Sequence, residues 1–257
     1  MSHYDNQPAR YGATVSGAAA GIDEGLRAHM IRVYNYMLMG LALTGVAALG
    51  TYSLAFSSTP TAYALGNGMY LTSLGATLFG SPLQWVIMLA PLALVFFLSF
   101  RIQKMSVAAA QMTFWIFAAL LGISLSSIFA VYTATSITQV FFIAAATFGA
   151  MSLWGYTTKR DLTGMGSFLI MGLIGIIIAM VVNIFLASSA LAFAISAIGV
   201  LIFVGLTAYD TQKIKEMYYV HDDGTVSGRK AIMGALTLYL DFINMFLFML
   251  QLFGNRN

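Results

Sequence analysis

Two aspartates carry the chemistry this sequence offers. Asp241 stands in Ile232-Met-Gly-Ala-Leu-Thr-Leu-Tyr-Leu-Asp241-Phe-Ile-Asn-Met-Phe-Leu-Phe-Met-Leu250, a run with no other charge; Lys230 is 11 residues before it and Arg256 is 15 after it. At 1.5 Å per helical residue the nearer charge is about 16 Å away, which places the carboxyl near mid-bilayer if the helix spans. A lone acid there costs roughly 2.5–3.5 kcal/mol on insertion scales, so a chain that carries one uses the group or pairs it. Thr237, Asp241 and Asn244 share one helical face at i, i+4 and i+7, with Gly234 continuing the stripe, while the opposite positions are Leu, Phe and Met. Polar groups avoid lipid, so this stripe faces other helices, either as a functional site or as a hydrogen-bond cluster that holds helices together.

The second aspartate, Asp210, ends an apolar stretch in Leu206-Thr-Ala-Tyr-Asp210-Thr-Gln-Lys213, on a face with Phe203 and Thr207. It reads either as an interfacial charge paired with Lys213 or as a partner of Asp241. If its helix continues past Asp210, the two carboxyls lie at similar depth on facing helices. There they would share a proton and titrate as a coupled pair, which suits a proton-sensitive switch or a cation site. Arg101, in Phe97-Leu-Ser-Phe-Arg101-Ile-Gln-Lys104, is either a counter-charge for that pair or a snorkelling anchor. Asn35, Gln139 and Asn183 are uncharged polar residues suited to packing. Gly45, Gly149, Gly172 and Gly175 are expected to permit close helix contact. His3, His29 and His221 are read as lying outside the spans.

These residues must be positioned by membrane helices. Of 257 residues 60% are hydrophobic and only 8% charged, and the mean hydropathy is +0.84. Soluble domains carry about 25% charged residues, so the chain is a polytopic membrane protein. With no cysteine, disulfides, thiolate metal sites and cysteine nucleophiles are excluded. Residues 1–28 lack an apolar signal core and are expected to form a largely disordered cytosolic tail ahead of a membrane domain over 29–257. Seven apolar segments have spanning length: Met30–Ser53, Leu83–Phe100, Val107–Val131, Ser136–Leu153, Gly166–Leu186, Ala190–Asp210 and Ala231–Phe253. Pro91 falls inside the second, where a kink is expected. Of the 12 Lys and Arg residues only Arg256 lies outside the even-numbered loops and the N-terminal segment, and the loops 54–82, 132–135 and 187–189 have no charge. The basic side is cytosolic, giving seven helices with the N-terminus in the cytosol and the C-terminus outside. A six-span alternative makes the last segment re-entrant.

Thr207-Ala-Tyr-Asp210-Thr-Gln212 and Leu238-Tyr-Leu-Asp241-Phe-Ile-Asn244 resemble signatures of the Bax inhibitor-1 (transmembrane Bax inhibitor motif) family, its bacterial branch above all. Asn183-Ile-Phe185 and the closing Leu252-Phe-Gly254 also fit. The resemblance implies an all-α integral membrane protein of seven helices, the last central with the other six packed around it. It implies a pH-sensitive calcium leak gated at an aspartate pair, which would be Asp210 and Asp241, with Arg101 as a latch on the closed state. It also implies, from some bacterial members, association with a membrane-anchored AAA+ quality-control protease, and a bacterial plasma (inner) membrane location.

Three functions follow as expectations. In the first, Asp210 and Asp241 hold calcium transiently with Thr207, Thr237, Asn244, carbonyls and water, without a resident cofactor and without enzymatic activity. In the second, the chain is a non-conducting regulator of the AAA+ protease and the aspartates are structural. The third is an intramembrane aspartyl protease. Tyr209-Asp210 suits it, but Asp241 follows Leu238-Tyr-Leu240 and not Gly-x-Gly, and no Pro-Ala-Leu follows. A retinal pump is excluded because the last span has no lysine.

Overall fold

The computed structural model describes residues 24–256 apart from Gly66 and Asn67. In chain order the elements are α1 (Ala9–Ala55), β1 (Phe56–Ser57), β2 (Tyr63–Gly66), β3 (Met69–Leu71), α2 (Ser73–Phe79), α3 (Leu83–Arg101), a 3-10 turn (Ile102–Lys104), α4 (Val107–Leu125), α5 (Ile128–Val131), α6 (Ala134–Thr157), α7 (Thr163–Leu186), α8 (Ser189–Glu216) and α9 (Gly224–Phe253). The tail expected over residues 1–28 lies, as far as residue 23, outside the described residues; from Glu24 on, the chain belongs to the first span.

Among the described residues, seven helices are long and apolar enough to cross a membrane: Glu24–Ala55, Leu83–Lys104, Val107–Val131, Ala134–Thr157, Thr163–Leu186, Ser189–Glu216 and Gly224–Phe253. Each coincides with one of the expected spans. The last is a continuous helix, so the re-entrant alternative falls. It is also the centre of the bundle: 72% of its spanning window is buried, against between 11% and 39% for the other six. Helices α8, α1, α6 and α4 pack directly on α9, while α3 packs mainly on α4 and α7 mainly on α8. The bulky buried residues Tyr239, Leu236, Leu238 and Met245 of α9 fill the axis.

The ends of the helices are set locally. Ser106, Thr133 and Ser188 cap α4, α6 and α8, each accepting a backbone N–H from three residues on. Asp223 caps α9 by accepting from Thr225 and Val226, the arrangement that satisfies the unpaired first-turn amides. The α7–α8 hairpin is tight because Ala187 takes a left-handed conformation, φ 49°, and Asn183 Oδ1 accepts from Ser188 N at 3.0 Å. A left-handed alanine is strained where glycine is not, so Ala187→Gly is expected to raise stability by about 0.5–1 kcal/mol, read as a small rise in thermal midpoint.

The uncharged 54–82 loop is an ordered cap. Its three short strands form an antiparallel sheet in the order β1-β3-β2, and α2 sits so close to the end of α1 that a Cβ on Gly75 would overlap the Ala55 carbonyl oxygen. Opposite charges are absent from this cap; the backbone pairing of Phe56–Ser57 with Tyr70–Leu71 carries it. The C-terminus is pinned nearby in sequence-distant company: Asn255 N donates to Ser136 Oγ, and its carbonyl accepts from Thr133 N.

Candidate functional site

α8 does continue past Asp210, to Glu216. It runs antiparallel to α9, and two contacts fix their register: Gly234 lies against Ile214, and Lys230 Nζ donates to the Met217 carbonyl at 2.8 Å. Continuing that register outward sets position 210 level with 237–238, one helical turn from Asp241. The side chains of Asp210 and Asp241 are close enough to act on each other electrostatically. Asp241 is only 4% exposed, and its Oδ2 is buried without a protein donor. An ionised carboxylate only accepts, so a hydrogen bond between the two groups needs one proton between them.

The pair lines a cleft of about 460 Å³ between α7, α8 and α9, together with Thr237, Asn244 and Lys213. The α7 wall, Ile170 to Met180, is wholly apolar, which lowers the local dielectric and strengthens any charge interaction inside. Thr237 Oγ1 donates to Met233 O and Asn244 Nδ2 to Leu240 O, so their remaining oxygen lone pairs are what they offer the cleft. Thr207 is fully buried and donates to Phe203 O; it lies beside the pair on α8 without lining the cleft. Asn183 is not brought to the site, since it closes the α7–α8 hairpin.

Arg101 is also not brought to the site. It is exposed at the end of α3, a helix that packs on α4 and α2; among the described residues the single ion pair is Lys230 with Asp222. The cation that acts on Asp210 is Lys213, one turn along α8. Its Nζ lies 5.7 Å from the Tyr209 ring centroid, and that ring rests where a Cβ on Gly166 would have to be. A glycine in α7 therefore seats the aromatic ring that supports the cleft's cation. Asp210 thus has both of the neighbours that its sequence allowed, Lys213 and Asp241.

Sequence reasoning missed several polar contacts that fix this site. Tyr239 OH and Thr44 Oγ1 are 2.6 Å apart in the core, and Thr44 also donates toward Gly40 O and Ala118 O. Tyr34, Ser152 and Thr211 form a hydroxyl chain with spacings of 2.6 and 2.9 Å, joining α1, α6 and α8. Gln212, next to it, holds the α6–α7 turn through Leu162 N and Arg160 O. None of these residues repeats at a spacing that marks it out, because each finds its partner across helices. His29, read as outside the spans, is in α1, 4% exposed and against the Tyr218 ring. The close-contact glycines also differ from those expected. Gly45, Gly149 and Gly175 face open space, whereas Gly122, Gly155 and Gly166 join Gly172 where a side chain would overlap a neighbour.

Residues 26–257 match the family model for the inhibitor of apoptosis-promoting Bax1. The chain belongs to the Bax inhibitor-1 family. Its relatives within that reach include the inner membrane protein YbhL of Escherichia coli K12, 48% identical over 234 residues that cover 90% of this chain and 93% of YbhL. An uncharacterized protein of Rickettsia prowazekii is 51% identical over 236 residues, covering 91% and 92% of the two chains. Another, from Caulobacter vibrioides, is 43% identical over 240 residues, 93% of each. This Bax inhibitor-1 protein is therefore a seven-helix membrane protein whose last two spans meet at a pair of carboxyls.

Proposed function

We propose that this Bax inhibitor-1 protein provides a proton-sensitive pathway for cations, calcium first among them, with Asp210 and Asp241 as its transient ion site in a bacterial inner membrane. The observation that carries this reading is the pair of neighbouring carboxyls that line the α7–α8–α9 cleft. Calcium takes six to eight oxygens, and the cleft supplies two carboxyls, the Thr237 hydroxyl, the Asn244 Oδ1 and room for water. Among the described residues no group of three acidic or histidine side chains gathers, so the site suits passage rather than tight retention. No bond is made or broken in this role.

The sign of the pH response in binding follows from competition. The shared proton and a divalent cation claim the same oxygens. Loss of the proton leaves two anions side by side, which repel each other and attract calcium, so calcium affinity is expected to rise with pH and fall on acidification. Lys213 opposes cation entry from the rim. Lys213→Gln is expected to tighten calcium binding several-fold at low ionic strength, with the gain shrinking as salt screens the cleft.

Calcium entry into proteoliposomes that hold the wild-type chain, compared with empty vesicles across a pH series, tests the reading. Equal rates with and without the protein overturn it in favour of the non-conducting regulator.

A further inference from the structure

A second cavity, about 590 Å³, opens between α1 and α6, away from the residues that line the aspartate cleft. Its walls are apolar, from Met30, Ile31, Phe148 and Leu153. Its floor is the Tyr34–Ser152 hydroxyl pair, 2.6 Å apart; Ser152 is further satisfied by Thr211, so the floor needs no water. At the mouth stand Arg27, seven residues or about 10 Å before Tyr34 on α1, and Tyr156 on α6. Arg27 is exposed and makes no ion pair among the described residues, Glu24 one turn earlier included. A second cation reinforces the mouth: Lys215 Nζ lies 5.7 Å from the Tyr156 ring centroid and donates to the Tyr156 carbonyl. Arg27 and Lys215 belong to the basic end of the bundle, where a leaflet's headgroups meet the helix ends.

An apolar crevice between two spanning helices takes hydrocarbon, not water, and a free cation at its headgroup end takes a phosphate. We propose that the α1–α6 crevice is a binding site for an anionic phospholipid, its phosphate on Arg27 and one acyl chain along Ile31, Phe148 and Leu153. The two cations at the mouth favour a net-negative headgroup over a zwitterionic one. Gly149 faces this crevice with nothing within 4 Å of a Cβ, so a large side chain there fills the site without striking the protein.

The test uses the full chain in detergent micelles with equimolar dioleoylphosphatidylglycerol and dioleoylphosphatidylcholine, counting retained lipids by native mass spectrometry. The wild type is expected to retain phosphatidylglycerol preferentially. Arg27→Gln, an exposed change that leaves packing intact, is expected to cut that preference about fivefold, the effect of one cation at a lipid surface. Gly149→Phe is expected to remove the retained lipid of either headgroup. Equal retention of the two lipids by the wild type overturns the proposal, as does a Gly149→Phe chain of unchanged thermal midpoint that retains as much lipid as the wild type.

Discussion

Asp241→Asn is expected to weaken calcium binding on the order of tenfold or more, about 1.4 kcal/mol, and to flatten its dependence on pH. The substitution keeps the shape of the side chain. The new amide donates to the Asp210 carboxylate without borrowing a proton, so the α8–α9 contact survives while the titratable pair does not. One carboxylate is lost as a ligand, and the proton that competed with the cation is no longer needed to hold the helices together. Stability should therefore hold, since the amide that faces Asp210 leaves its carbonyl oxygen in the buried position that Oδ2 held. The measurement is calcium affinity and flux in proteoliposomes between acidic and mildly alkaline pH, with thermal unfolding alongside. A folded Asp241→Asn chain with wild-type affinity and a wild-type pH response would falsify the ion-site reading.

The largest structural effect is expected at Gly155. A Cβ there would overlap the Ala208 carbonyl oxygen, one turn from the Ser152–Thr211 bond that also joins α6 and α8. Backbone cannot rotate out of the way as a side chain can, so Gly155→Val must push α6 off α8. The expected cost is about 3 kcal/mol, a fall of roughly 6–12 °C in thermal midpoint for a chain of this size. Ala208 is two residues from Asp210, so the displacement also disturbs the carboxyl pair. Gly149→Val, on the same helix but facing open space, is the control and should leave the midpoint nearly unchanged; equal losses at both positions would sink the close-contact argument.

The bundle was legible because hydropathy and charge act along the chain. Seven apolar runs of spanning length, separated by alternately basic and uncharged loops, define seven helices without reference to their neighbours. The polar stripe of Thr237, Asp241 and Asn244 was legible for the same reason, since helical periodicity alone puts those residues on one face; Thr237 and Asn244 line the cleft with the pair. The hairpin role of Asn183 was not, because it depends on the left-handed turn at Ala187.

The counter-charge shows where such reasoning runs out. Along the chain the nearest cation to Asp241 is Lys230, 11 residues away, and Arg101 was a candidate from the end of another span. In the fold Lys213 reaches the pair from the facing helix, because α8 packs along α9 and brings Asp210 within reach of Asp241. Glycine contacts follow the same logic: of the four glycines expected at contacts, Gly172 meets a neighbour, while Gly155 and Gly166 do so unforeseen. What the sequence determined by itself was composition-driven: a seven-helix membrane protein with an acid too costly to be idle. Only the tertiary structure decided which groups share that acid's surroundings, since antiparallel register and interhelical distance are set by packing between segments, and no single segment's periodicity encodes its neighbour's rotation.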